Sequence, residues 1–172
     1  EDLSNSMTLI DTAQILLAPF FRESILRDSL NQIIRESLSF PIPAVKTSSE
    51  QNLWFLELFH GPTAAFKDVG AGFLASCMSR LNKAKDKPLV VLVATSGDTG
   101  GAVAAAFHGL PNVKVIVLFP KDKVSKRQEK QLTCWGDNIL SLTVNGTFDD
   151  CQKLVKSIFV DSNLSLKYRF SS

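Results

Sequence analysis

Residues 88–172 alternate between short apolar runs and amphipathic stretches, and nothing else in the chain constrains its fold as strongly. Leu89 to Ala94, Val113 to Phe119 and Ile139 to Val144 are rich in Val, Ile and Leu, the composition of strands covered on both faces. Between them lie an Ala-rich helical stretch, Gly101 to Phe107, and a helix opened by Ser125 with Gln128 three residues on, a capping-box spacing. Thr147 caps a further helix carrying Phe148, Leu154, Val155, Ile158 and Phe159. Strand–helix repeats at this spacing predict right-handed crossovers and an α/β fold, a three-layer αβα domain around a mostly parallel sheet. Ligands of such sheets sit at the carboxyl ends of the strands, which directs attention to the loop after residue 94.

The preceding part reads differently. Leu9, Ile10, Ala13, Leu16 and Leu17 recur at helical spacing up to Pro19, and Ile25, Leu26, Leu30, Ile33, Ile34 and Leu38 form a second stripe. Phe40-Pro41-Ile42-Pro43 is a stiff connector, and Leu53 to Phe59 is a short strand candidate. The predicted organisation is a helical N-terminal segment over 1–45, a strand and a lysine-bearing helix over 46–87, and a parallel αβ domain over 88–172. Against 19 basic stand 17 acidic side chains, so charge gives no argument for nucleic acid or an anionic membrane. Neither is an expected partner. The longest apolar stretch, Ile15 to Phe21, is too short to span a bilayer, and no leader pattern precedes it. A cytoplasmic location is the resulting expectation. Three cysteines without a CxxC spacing and two histidines suggest neither a disulfide framework nor a metal centre.

Two motifs carry chemistry. Ala94-Thr95-Ser96-Gly97-Asp98-Thr99-Gly100-Gly101-Ala102 leaves a buried strand, turns on glycine and enters a helix. Glycines admit close backbone approach, and a helix N-terminus offers unpaired N–H groups to an anion. The same residues also suit a simple capped turn. The glycines match neither the dinucleotide fingerprint nor the P-loop. The second motif, Gly61-Pro62-Thr63-Ala64-Ala65-Phe66-Lys67-Asp68, is a turn with Thr63 as the expected N-cap and Lys67 in the first helical turn. There the helix dipole opposes a cation by roughly 0.3–1 kcal/mol, and partial burial favours the neutral amine that Schiff-base chemistry requires. The alternative is a surface lysine paired with Asp68. The apolar side of the helix is expected to hold Phe66, Val69, Gly70, Phe73, Cys77, Met78 and Leu81.

In order and at this separation, the two motifs resemble the paired signatures of bacterial-type threonine synthases, pyridoxal-phosphate enzymes of the tryptophan-synthase-β fold type. The resemblance runs on through Gly109-Leu110-Pro111-Asn112-Val113, Phe119-Pro120-Lys121 and Gly146-Thr147-Phe148-Asp149-Asp150-Cys151-Gln152, and back over the helical third. It implies that Lys67 carries pyridoxal 5'-phosphate covalently and moves protons at the substrate's Cα and Cβ. It further implies that Phe66 and Asp98 adjoin the cofactor and that Thr95, Ser96, Gly97 and Thr99 hold the substrate carboxylate. The implied reaction is that of a carbon–oxygen lyase acting on phosphates, converting O-phosphohomoserine and water to threonine and phosphate. Ser125 and Arg127, in a basic turn with Lys121, Lys123 and Lys126, are candidates for the substrate phosphate; a solvated turn is the alternative.

Members of that family are much longer and contribute a second glycine-rich loop for the cofactor phosphate from a large C-terminal domain. No comparable segment occurs among these 172 residues. The chain, starting at Glu1 and stopping at Arg169-Phe170-Ser171-Ser172 without an expected closing helix, therefore reads as an internal piece that is inactive by itself. Two alternatives stand beside this reading: another lyase of the same fold type, acting as a threonine or serine dehydratase, and a non-catalytic ligand-binding fragment. His60 is expected to be a satisfied histidine at a strand end, Cys77 and Cys151 small core residues, and Trp54 and Trp135 packing residues.

Overall fold

The computed structural model describes residues 7–48, 52–82 and 87–172. Helices α1 (Leu9–Phe21) and α2 (Leu30–Ser37) lead to a two-stranded antiparallel ribbon, β1 (Ala44–Lys46) with β2 (Trp54–Leu56). Then come α3 (Lys67–Leu81), β3 (Leu89–Ala94), α4 (Asp98–Phe107), β4 (Val113–Pro120), α5 (Lys126–Thr133), β5 (Ile139–Val144), α6 (Phe148–Phe159), α7 (Ser162–Lys167) and β6 (Arg169–Ser171). The four strands β5-β4-β3-β6 form one sheet with every pairing parallel.

Alternation along the strands sorts the core. Leu89, Val91 and Val93 of β3, with Val113, Val115, Val117 and Phe119 of β4, meet Ala71, Ala75, Ala102, Phe107 and Leu132 from α3, α4 and α5. Val90, Leu92 and Leu118 point the other way, onto Cys151 and Val155 of α6. Helices thus cover both faces, and the three-layer αβα architecture expected from the sequence is present. The capping boxes are in place: Ser125 Oγ accepts from the Gln128 N–H, and Thr147 Oγ1 from the Asp150 N–H.

Several expectations are corrected. A helix and a strand do follow α6: Asp161 caps α7 by accepting from the Asn163 and Leu164 N–H groups, and β6 then pairs with the first half of β3. Helix α1 runs two residues past Pro19 and buries no residue completely. The second stripe breaks, with Ile25 84% exposed ahead of a 3₁₀ turn at Arg27–Ser29, while Leu30, Ile33 and Ile34 of α2 are buried. Helix α3 buries its small side, Asp68, Ala71, Ala75 and Ser76, rather than its large apolar residues, because it packs closely against α2 and α4. Phe66 and Leu81 are exposed, and Phe73 instead meets Phe21 of α1 edge-on at 6.0 Å. Trp54 stands exposed with Lys46 over its ring, whereas Trp135 packs on the core as expected and donates to the Gln131 carbonyl. Cys151 is buried in the second cluster, and Cys77 is half-buried.

Helices α2 and α3 are joined by a polar link. Arg80 donates both terminal nitrogens to the Glu36 carboxylate at 2.8 Å, and the Ser76 hydroxyl donates to the same group at 2.5 Å. The Arg80 guanidinium and then the Ser76 hydroxyl hold the Glu36 carboxyl down at about 2. Among the described residues no helix is long and apolar enough to cross a membrane.

Candidate functional site

The lysine motif folds as a tight turn closed by a buried carboxylate. Asp68 is 5% exposed; its Oδ2 accepts from the Thr63 N–H at 2.9 Å and its Oδ1 from the Thr63 hydroxyl at 2.6 Å. Thr63 is thus not the N-cap. It is a donor to Asp68, and Phe66 takes the cap position without any side-chain hydrogen bond. A Cβ on Gly61 would overlap the Asp68 carboxylate, so the turn admits only glycine there. Ala64 sits at φ 57, a left-handed conformation that costs a non-glycine residue roughly 1–2 kcal/mol. Strain of this kind persists where surrounding contacts over-determine the backbone.

Lys67 follows as the first residue of α3 and is half-buried. With both Asp68 oxygens committed to Thr63, the Lys67–Asp68 pair does not form, and among the described residues no carboxylate pairs with Lys67. Its Nζ lies 4.1 Å from the centroid of the exposed Phe66 ring.

The glycine loop is organised by Thr95, only 2% exposed. Its Oγ1 accepts from both the Gly97 and the Gly100 N–H at 3.0 Å. Gly97, at φ 149, turns the chain into α4. Gly100 lets α4 lie against β4 and α5: a Cβ there would come within 2.6 Å of Thr95, 2.7 Å of Leu132 and 2.8 Å of Val117 side-chain atoms. The N–H groups of Ser96, Asp98 and Thr99 have no acceptor among the described residues. Ser96 and Asp98 are exposed and Thr99 half-buried, so the start of α4 presents free donors to solvent.

Helix α5 ties the two motifs together, and here the sequence reading missed two residues. Gln131 Nε2 donates to the Thr63 carbonyl at 3.2 Å, and Gln128 Nε2 donates to Asp98 Oδ1 at 3.0 Å. The two glutamines stand three residues apart on one helical face. Their signal was legible only as the capping-box spacing of Gln128. Ser125 and Arg127, at the exposed start of the same helix, neighbour this bridge; Ser125 spends its hydroxyl on the cap, and Arg127 has no ion-pair partner among the described residues. His60, immediately before the lysine motif, has its Nε2 2.7 Å from Glu57 Oε2.

An amine without a carboxylate partner and a set of free helix-terminal N–H groups suit a carbonyl cofactor anchored on lysine beside a carboxylate-bearing substrate. The profile of the family described as pyridoxal-phosphate dependent enzyme matches residues 31–166. Threonine synthase from Buchnera aphidicola subsp. Baizongia pistaciae is 44% identical over 166 residues, which are 96% of this chain and 38% of that protein. The crystal structure of threonine synthase from Escherichia coli superposes with a TM-score of 0.84 at 42% identity, covering 95% of this chain and 38% of that one. That of pyridoxal-phosphate-bound threonine synthase from Brucella melitensis gives 0.81 at 35% identity, covering 97% and 37%. The chain therefore spans little more than a third of the length of the relatives it matches.

Proposed function

The chain belongs to the pyridoxal-phosphate-dependent enzyme family, and we propose that it is the lysine-bearing part of a threonine synthase. The observation that carries this reading is that two glutamines of α5 tie the turn before Lys67, with which no carboxylate among the described residues pairs, to the loop whose N–H groups at 96, 98 and 99 are free. Likeness to threonine synthases over nearly the whole chain supports it. When bound, pyridoxal 5'-phosphate supplies an electron sink beside the substrate's amino group.

On this reading Lys67 anchors the cofactor and, once released from it, moves protons at Cα and Cβ of O-phosphohomoserine. The Ser96, Asp98 and Thr99 N–H groups hold the substrate carboxylate, while Thr95, occupied by Gly97 and Gly100, fixes the shape of the loop. Gly97, its N–H held by Thr95 and its open side filled by Gln128, shapes the turn that presents these donors, and Phe66 flanks the lysine. Ser125 and Arg127 hold the substrate phosphate, which leaves from Cγ as water adds at Cβ to give threonine. The 88–172 unit is the smaller domain of the enzyme, and 46–87 belongs with the larger. The site works in the cytoplasm on a small molecule.

Incubation with pyridoxal phosphate, borohydride reduction and peptide mapping test the assignment. Label is expected on Lys67 and absent from a folded Lys67→Ala chain; label elsewhere sinks the proposal. With the complete enzyme, O-phosphohomoserine should yield phosphate and threonine, whereas a keto acid formed from threonine or serine would make it a dehydratase.

A further inference from the structure

Asp98 is the first residue of α4, and the N–H groups beside it lack acceptors. A carboxylate at that position is drawn to those same donors, because acidic side chains in a first helical turn are stabilised by the free N–H groups and the dipole. An Asp98 side chain folded back in this way would occupy the anion site itself. In the structure it is held elsewhere: Oδ1 accepts from Gln128 Nε2 at 3.0 Å.

The orientation of the Gln128 amide follows from the cap. Its Oε1 accepts from the Ser125 N–H at 3.1 Å, so the amide nitrogen has to face Asp98. One side chain therefore performs two separable tasks, closing the cap of α5 through its oxygen and restraining Asp98 through its nitrogen. Gln128 also lies against Gly97, where any Cβ would overlap it, so it fixes the turn from the outside.

We propose that Gln128 is a positioning residue that holds the Asp98 carboxylate away from the free N–H groups of the 95–99 loop and so keeps an anion site open for the ligand carboxylate. The ligand assignment rests on the function proposed above; the restraint itself rests on the hydrogen bonds alone.

Gln128→Glu separates the two tasks. A glutamate at this position still closes a capping box but offers Asp98 a second negative charge in place of a donor. In the 172-residue chain, the N–H groups of Ser96, Asp98 and Thr99 should then gain the released carboxylate as acceptor and exchange roughly tenfold more slowly. Protection along α5 should stay unchanged. The double variant Gln128→Glu with Asp98→Asn restores a hydrogen bond with the roles reversed, Asn donating to Glu, and should return the N–H groups at 96, 98 and 99 to wild-type exchange. Unchanged exchange in Gln128→Glu overturns the proposal. So does loss of α5 protection that Asp98→Asn fails to restore, which would make Gln128 a capping residue only. Lysine labelling is read separately, on the complete enzyme. Its absence with the exchange pattern intact refutes the cofactor reading and leaves the restraint standing.

Discussion

Two adjacent glycines in α4 should respond in opposite directions to the same added methyl group. At Gly100 a Cβ would meet side-chain atoms of Thr95, Leu132 and Val117 at 2.6, 2.7 and 2.8 Å, where ordinary contacts begin near 3.4 Å. All three neighbours are buried, so relief requires moving packed core. Overpacking of this kind costs roughly 1–3 kcal/mol, and three simultaneous overlaps place Gly100→Ala at the upper end. Alanine regains about 1 kcal/mol of helix propensity, leaving a net loss of about 2 kcal/mol. At Gly101 the nearest foreign atom is 3.8 Å away, so Gly101→Ala keeps the propensity gain of about 1 kcal/mol without the clash. For a domain of this size the difference separates the two melting temperatures by about 8 °C. Thermal unfolding followed by far-ultraviolet circular dichroism measures it. A Gly100→Ala chain melting at or above Gly101→Ala would refute the claim that Gly100 sets the approach of α4 to the sheet.

Two further outcomes follow from the polar links. The Glu36 carboxyl, held at about 2 against an ordinary 4.5, contributes stability that is present above pH 4.5 and lost as pH falls toward 2. Because the Glu36 side chain is 44% exposed, solvent screening limits the effect to about 1 kcal/mol or less. Urea midpoints of wild type and Glu36→Gln should differ at pH 6 and converge near pH 2; a gap unchanged across that range removes the ion pair as the cause. Asp68→Ala, which leaves the Thr63 N–H and hydroxyl without their acceptor, should cost about 2 kcal/mol in the same assay, and Asp68→Asn should cost less. Equal losses in both variants would show that packing rather than hydrogen bonding holds the lysine turn.

What the sequence revealed depended on how local the determining contacts are. Strands β3 and β5 begin and end where their apolar runs do, and the caps at Ser125 and Thr147 are three-residue patterns complete in themselves. Strand β6 carries only three residues and exists because β3 offers an edge, information absent from Arg169-Phe170-Ser171. The inner face of α3 was misjudged for a related reason: size in the sequence favoured Phe66 and Phe73, while the close approach of α2 and α4 selected Ala71 and Ala75. At the site, Lys67 and the 95–99 loop were visible as motifs. Gln131 was not, because its one informative bond reaches a backbone carbonyl 68 residues away. Thr63, which the sequence offers as an N-cap, does not cap α3 because Asp68, five residues on, outcompetes the helix for its hydrogen bonds.

The parallel pairing of β6 with β3 also bears on the order in which the chain assembles. β3 and β4 are joined through α4 alone, whereas Leu89 and its partner Arg169 are separated by the whole of α4 to α7. Closing that larger loop costs more chain entropy and returns only a three-residue ladder, with Arg169 reaching the Asn82 side chain and the Lys87 carbonyl. Folding should nucleate on β3-α4-β4 and admit the C-terminal strand late. Destabilising β6 should therefore accelerate unfolding while leaving the refolding rate almost unchanged.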